Sequence, residues 1–542
     1  MDLEPFILRA FEKTAFTPVD TGPEKPRAER KGLVIPQAVL RKAAEEGFRE
    51  LAFFFRESHL ALLADRLTSG DSSENDRMVI NLLLKNAVTA SGGNLALCQD
   101  TGTAVVYGWK DEGVFSGSWD REALEAGVES AWKNNFLRAS QIAPASFFDE
   151  YNTGNNLPVQ IRLEAAPGGK QGPAYRFLFI AKGGGSSNKT SLFSMTKALL
   201  EEKAFEAFLE EKIRSLGTAA CPPYRFTAVI GGTSPEFNLE VQKLASAEAL
   251  DTVPYFAGKE GPEAGAMIYR DRYWENKAME IGRKTGLGAQ FGGTCFLLDA
   301  RILRLPRHAA SCTVSIGVSC TAHRNIFAYI NAEGLFIERL VHDPLSFLRN
   351  RGISPAPLDS AGAVRKIDLE KPIQELCRDL SALKTGDRLL LSGKLLVARD
   401  AAHQKWRSLL TGGTLPAYLF QHPVYYAGPA GTPPGKITGS LGPTTAGRMD
   451  SYAEDFMSRG ASLITVAKGN RSPLWVEACK KYGGFYLGTA GGAAALFAEK
   501  NITASEIIDY PELGMEAVRL ITVKDLPAFI VIDDKGRDLY AL

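Results

Sequence analysis

No CxxC pair occurs among the seven cysteines, Cys98, Cys221, Cys295, Cys312, Cys320, Cys377 and Cys479. That absence removes the local spacing of a zinc ribbon, a ferredoxin or a thioredoxin-like centre, so any metal site has to be assembled from distant segments. The odd count, scattered over 542 residues, also argues against a disulfide framework and for reduced thiols. No apolar run approaches the roughly 20 residues that cross a bilayer, and the opening MDLEPFILRAFEKTAF has acidic residues where a secretory leader needs basic ones. A cytoplasmic protein is expected. Neither sign of charge is in excess: 63 Lys and Arg face 62 Asp and Glu, a formal charge of +1. No global field then draws the chain to nucleic acid or to an anionic membrane, and any anion site must be local.

Ample core is present. Hydrophobic residues make up 45% and charged residues 23%, the range of soluble globular proteins, and a chain of this length exceeds one ordinary core. The stretch to about Lys31 is mixed and is expected to drape over the surface. IPQAVLRKAAEEGFRELAFFF and DRMVINLLLKNAVTAS repeat apolar residues at three and four, which predicts helices with one buried face. From Tyr175 the pattern changes to short apolar runs ending in glycine, YRFLFIAKGGG and RFTAVIGGTS, leading into helix-like stretches such as SLFSMTKALLEEKAF. RGISPAPLDSAGA lacks periodicity and reads as a linker. The expectation is an α/β fold of mixed α+β type, with a helix-rich N-terminal domain over 1–350, a linker over 351–363 and a smaller C-terminal α/β domain over 364–542.

Two glycine-rich turns invite a nucleotide reading and fail it. GGGSSNKTS, from Gly183, has Asn188 where a P-loop needs glycine, and GLGAQFGG, from Gly286, has Phe291 where the dinucleotide fingerprint needs its last glycine. A turn whose free N–H groups bind a carboxylate fits better. Cys98 lies in CQDTGT, polar company unlike that of an inert core thiol. Cys221 lies in TAACPPY, where two prolines fix a rigid loop. Cys312 and Cys320, eight apart in SCTVSIGVSC, are alternatives that the residues alone leave open. Arg399 in LLVARD, Thr444, Thr445 and Arg448 in GPTTAGRMD, and Lys468 with Arg471 in VAKGNRS would each pass singly as a solvated group. Together, at strand ends and glycine turns, they predict an anion pocket. His308, in RLPRHAASC, would on chemistry alone be an exposed loop residue.

CQDTGT, KGGGSSNKT, GTAACPPY, LGAQFGGT, LPRHAASC, YYAGPA, GSLGPTTAGRMDSY, AKGNRS and YPELGMEA, in this order from about Leu51 to the C-terminus, resemble the class I, iron-sulfur fumarate hydratases. The resemblance implies an N-terminal iron-sulfur hydro-lyase domain, a C-terminal swivelling-type domain and a 4Fe-4S cluster whose three ligands match Cys98, Cys221 and Cys320. It places substrate contacts at Gln99, Asp100, Arg138, Gly185, Arg399, Arg448 and Lys468, the catalytic base at Thr444 and its acid partner at Asp100. His308 matches a histidine that reaches the site from the other subunit of a homodimer. Chemistry alone favours Asp100 over a threonine hydroxyl as base. The Thr294–Cys295 pair is left without a role. The implied reaction is the reversible hydration of the dicarboxylate fumarate to L-malate. Tartrate dehydratase is the alternative on the same fold, and a non-catalytic iron or redox sensor the alternative from another class.

Overall fold

The computed structural model of the chain describes residues 3–117, 119–168, 172–256, 267–354 and 364–541. The two strongest helical patterns form Gln37–Phe53 and Glu74–Ala90. The second opens on a capping box, in which Ser73 Oγ accepts from the Asp76 N–H and the Asp76 carboxylate accepts from the Ser73 N–H, each at 3.0 Å. The opening segment does more than drape over the surface. Glu4–Glu12 is a helix that buries Ile7, Ala10 and Phe11, and Phe16–Val19 pairs antiparallel with Gly334–Glu338 as the edge of a sheet. The expected helix over SLFSMTKALLEEKAF begins as a strand, Ser191–Met195, and turns helical at Glu202–Ser215. Register with Cys312–Ser319 overrides its helical spacing.

Two six-stranded sheets organise the first 350 residues. In the first, Phe16–Val19, Gly334–Glu338, Asn325–Asn331, Tyr175–Lys182, Thr103–Asp111 and Gln160–Ala166 lie side by side, antiparallel except for the last pair. The second runs Ser191–Met195, Cys312–Ser319, Tyr224–Gly232, Leu297–Arg307, Tyr269–Asp271, Tyr255–Phe256. Thr103–Asp111 is buried on both faces and so reads as an apolar run. Ala104 and Val106 face the layer of Gln37–Phe53, while Val105, Tyr107 and Trp109 face a core shared with Val229 and Leu303 of the second sheet. Beyond the second sheet, helices Glu202–Ser215 and Arg272–Lys284 cover its outer face.

The C-terminal sheet runs Val364–Asp368, Arg388–Val397, Val424–Tyr425, Ile464–Ala467, Phe485–Gly488, Val518–Ile532, Ile502–Asp509. The first five are parallel, and Val518–Ile532 pairs antiparallel with both Phe485–Gly488 and Arg388–Val397, which brings the sheet back on itself. Its core does not end at the sheet. Leu82, Leu83 and Ala87 of helix Glu74–Ala90, together with Phe291 and Leu298, belong to the same buried cluster as Leu396, Phe497 and Phe529. The expected linker, 351–363, lies from residue 355 onward outside the described residues. Among the described residues no helix is long and apolar enough to cross a membrane.

Candidate active site

Strand register brings the sequence-predicted residues to one rim. Cys98, Gln99 and Asp100 precede Thr103–Asp111, the glycine turn follows Tyr175–Lys182, and Thr103 pairs with Lys182. Asn325 pairs with Ile180, so the segment from Cys320 to Arg324 enters at the same edge. In the second sheet Arg225 pairs with Ser319, which sets Cys221, just before its strand, beside Cys320, just after its own. The basic and hydroxyl groups of the last 180 residues hang from the carboxyl ends of parallel strands, the usual place for ligand contacts in α/β sheets. Arg399 follows Arg388–Val397 and Lys468 follows Ile464–Ala467, with Thr445 bridged to Lys468.

Cys98, Cys221, Cys320 and Lys468 lie within electrostatic reach of one another. Lys468 Nζ donates to Cys221 Sγ at 2.7 Å, and Cys98 Sγ donates to Gln99 Oε1 at 3.5 Å. Burial pushes the Cys98 thiol up and the Cys221 thiol up to about 12, with Lys468 working the other way on both. Burial also opposes the Lys468 charge, yet the three thiols hold its proton above the ordinary value. Cys221 has φ +63, a left-handed backbone uncommon outside glycine and a mark of a constrained position. Among the described residues no three His, Cys, Asp or Glu side chains converge on a point where one metal ion would sit. A cubane asks for something else, three separated thiolates that each hold one iron, and the buried Cys98 and Cys221 with the half-buried Cys320, gathered around a lysine, suit that demand.

Asp100 sits between cations. Arg138 Nη2 lies 3.5 Å from its Oδ1, the Gly184 N–H donates to Oδ2 at 2.9 Å, and Arg324 Nη2 donates to its main-chain oxygen at 2.8 Å. Burial alone would raise its pKa. Arg138, Arg324, the Gly184 N–H and Lys468 outweigh burial and hold the carboxyl below its ordinary value. Arg399 is 7% exposed and pairs with Glu516 at 2.8 Å, while its Nε has no partner. Burial, with Arg138 and Arg448 close by, lowers its pKa to about 10. A buried guanidinium with a spare donor beside two others can accept a carboxylate in addition to Glu516. Arg448 Nη2 donates to Thr444 Oγ1, and a guanidinium there favours loss of the hydroxyl proton. Gln99 Nε2 donates to the Pro443 oxygen at 3.0 Å, which ties CQDTGT to GPTTAGRMD.

Cys312 lies at the far end of its strand, paired with Met195 and buried in the second sheet's core, while Cys320 stands beside Cys221. Two readings change. Arg471 faces the chain's own groups. It is buried against Asp450 at 2.6 Å with its guanidinium 3.2 Å above the Trp475 ring. Both glycine turns do bind a carboxylate, but one of the chain's own: Gly184 holds Asp100, and the Gly286–Cys295 loop wraps Asp76, whose oxygens accept from Ala289, Thr294 and Cys295 N–H at 2.6, 2.9 and 3.3 Å. Gly185 stands in the first turn, packed on Ala220. His308 is exposed between Leu297–Arg307 and Cys312–Ser319, at the end of the sheet away from Cys320, and the single chain does not bring it to the other residues.

Known proteins resemble this chain over both of its parts. The family described as "Fumarate hydratase (Fumerase)" matches residues 41–328, and "Fumarase C-terminus" matches residues 334–542. The chain is 48% identical to "Fumarate hydratase 2" of Leishmania major, over 94% of this chain and 88% of that protein. It is equally 48% identical to "Fumarate hydratase class I, aerobic" of Escherichia coli (strain K12), over 94% and 90%. The chain belongs to the class I fumarate hydratase family. A shorter likeness, 33% over 30% of this chain and 86% of the other, links it to "Putative L(+)-tartrate dehydratase subunit beta" of Methanocaldococcus jannaschii.

In this member of the family, sequence reasoning missed the residues that shape the pocket without reacting. A side chain on Gly491 would run into Cys221 Sγ, one on Gly492 into Thr321 Oγ1, and one on Gly442 would meet Gln99 Oε1 at 2.8 Å. These glycines let the C-terminal backbone lie directly on the thiol-bearing loops. Gly491 and Gly492 show in the sequence as the doublet of GTAGGAA, and Gly442 lies within GSLGPTTAGRMDSY.

Proposed function

We propose that this chain is a fumarate hydratase that interconverts fumarate and L-malate, with Cys98, Cys221 and Cys320 holding a 4Fe-4S cluster. The observation that carries the reading is the meeting of three thiols, Cys98 and Cys221 buried and Cys320 half-buried, with Lys468 and with the neighbouring guanidinium groups of Arg138, Arg399 and Arg448. When bound, such a cluster supplies an iron with an open position, a Lewis acid for a substrate oxygen that needs no change of redox state. Arg138, Arg399, Arg448 and Lys468 bind the two carboxylates and stabilise the charge that builds on one of them as the C3 proton leaves.

Proton movement falls to Asp100 and Thr444. Held ionised by its neighbours, Asp100 in the hydration direction takes the proton of the water that adds at C2, while the Thr444 hydroxyl gives its proton to C3. In the reverse direction Thr444 is the base and Asp100 the acid. The thiol-bearing half is assigned to residues 1–350 and the substrate-binding half to 364–542. The protein acts as a cytoplasmic homodimer, in which the exposed His308 serves the site of the other copy.

The test is anaerobic purification with iron and sulfide analysis, followed by fumarate hydration assayed before and after brief exposure to air. Four irons and four sulfides per chain, with activity that air abolishes, are expected. A colourless protein with air-indifferent activity would refute the reading, and turnover of tartrate in place of fumarate would move it to the related dehydratase.

A further inference from the structure

The loop from Gly286 to Cys295 carries at its centre a glutamine that the proposed chemistry does not use. Gln290 is 1% exposed and has φ +84, a conformation that disfavours any residue but glycine. Its side chain makes three hydrogen bonds. Nε2 donates to the Pro222 oxygen at 2.9 Å and to the Gly491 oxygen at 3.0 Å, and Oε1 accepts from the Gly491 N–H at 2.8 Å. One amide thus joins the carbonyl next to Cys221 with both polar groups of the glycine that lies against the Cys221 sulfur.

The backbone of Gln290 is held as firmly. The Tyr540 hydroxyl donates to its carbonyl at 2.6 Å, the preceding Ala289 N–H is bound by Asp76, and the following Phe291 ring stacks on Phe529 at 4.2 Å. A residue so fixed, in a backbone conformation it would not choose, transmits position rather than reacting.

We propose that Gln290 is the positioning residue for Cys221, a brace across the two halves that holds this thiol toward Lys468 and the other two sulfurs. The amide is specifically required. A carboxylate would set one of its oxygens against two carbonyl oxygens, and an apolar side chain would leave two carbonyls and one N–H buried without partners. The inference rests on the proposed role of Cys221, but its first test needs no activity.

That test is alkylation of the reduced, iron-free chain by iodoacetamide, with the rate at each cysteine read by mass spectrometry. In Gln290→Leu and Gln290→Glu the rate at Cys221 relative to Cys98 in the same molecules is expected to rise on the order of tenfold, since local opening of the Cys221 loop loses its opposing bonds. If those variants do not fold, Tyr540→Phe, which frees the Gln290 carbonyl, is expected to raise the same ratio roughly threefold. In the cluster-loaded enzyme kcat should fall while KM stays within about twofold, because the carboxylate-binding arginines hang from other segments. An unchanged ratio, or an equal rise at Cys98 and Cys221, overturns the proposal. Activity lost with the ratio raised as expected supports it, and a rise in a chain with no hydratase activity separates it from the proposed function.

Discussion

As the proposed base, Thr444 depends on its neighbour Arg448. A threonine hydroxyl in water is a poor base because its conjugate alkoxide is far too costly at neutral pH. Here Oγ1 accepts a hydrogen bond from Arg448, whose positive charge favours the alkoxide. Thr444→Ala is expected to stop exchange of the malate C3 proton with deuterated solvent, followed by NMR. Exchange that survives at the wild-type rate would move the base role to Asp100. The residues that converge here stood out because unusual chemistry clusters in short motifs, CQDTGT and GPTTAGRMD, while the roles proposed for them come from the family resemblance. Gln290 was not legible, since a lone glutamine in a glycine loop carries no signal until its three partners are brought from three segments.

At the level of elements, the two glycine turns teach the same lesson from opposite sides. Local sequence shows that N–H groups will be free, which is why a carboxylate was the expected guest. It does not say that the guest is Asp76 from a helix 213 residues away or Asp100 from 84 residues away. Removing the first guest should be costly. Asp76→Ala leaves several buried N–H groups unpaired at about 1–3 kcal/mol each, so a lower thermal midpoint is expected, along with faster hydrogen exchange over residues 286–295.

The helix Asp400–Leu409 carries a second, pH-dependent liability. His403 is fully buried among Trp406, Tyr426 and Tyr452, its Nδ1 lies 2.8 Å from the Arg399 oxygen, and burial pushes its pKa down to about 4. The unfolded imidazole protonates first, near its ordinary value of about 6.5, so stability is lost as pH falls from there toward 4, by about 1.4 kcal/mol per unit. His403→Gln should flatten the fall in thermal midpoint between pH 7 and pH 5. An unchanged slope would place the acid sensitivity elsewhere.

Across the whole molecule, the class of fold was legible and the joining of its parts was not. Periodicity gave the helices, and glycine-ended apolar runs gave the strands. The antiparallel register and the edge strand Phe16–Val19 depend on pairings hundreds of residues apart. The proposed catalytic constellation is likewise shared, with thiols and Asp100 from one part and Thr444, Arg448 and Lys468 from the other.

The helix Glu74–Ala90 lies in the first part and shares the buried core of the second, and its Asn86 Oδ1 accepts from the Leu496 N–H at 3.0 Å. Severing the gene between codons 350 and 364 would therefore yield two polypeptides, each presenting a large greasy wound that water cannot tolerate. Produced apart they should precipitate, and produced in one cell they should heal into a one-to-one heterodimer. Soluble, monomeric fragments on separate expression would contradict this. The single reading frame thus works as a tether that guarantees stoichiometry and proximity for two partners whose mutual fit is already written into one helix.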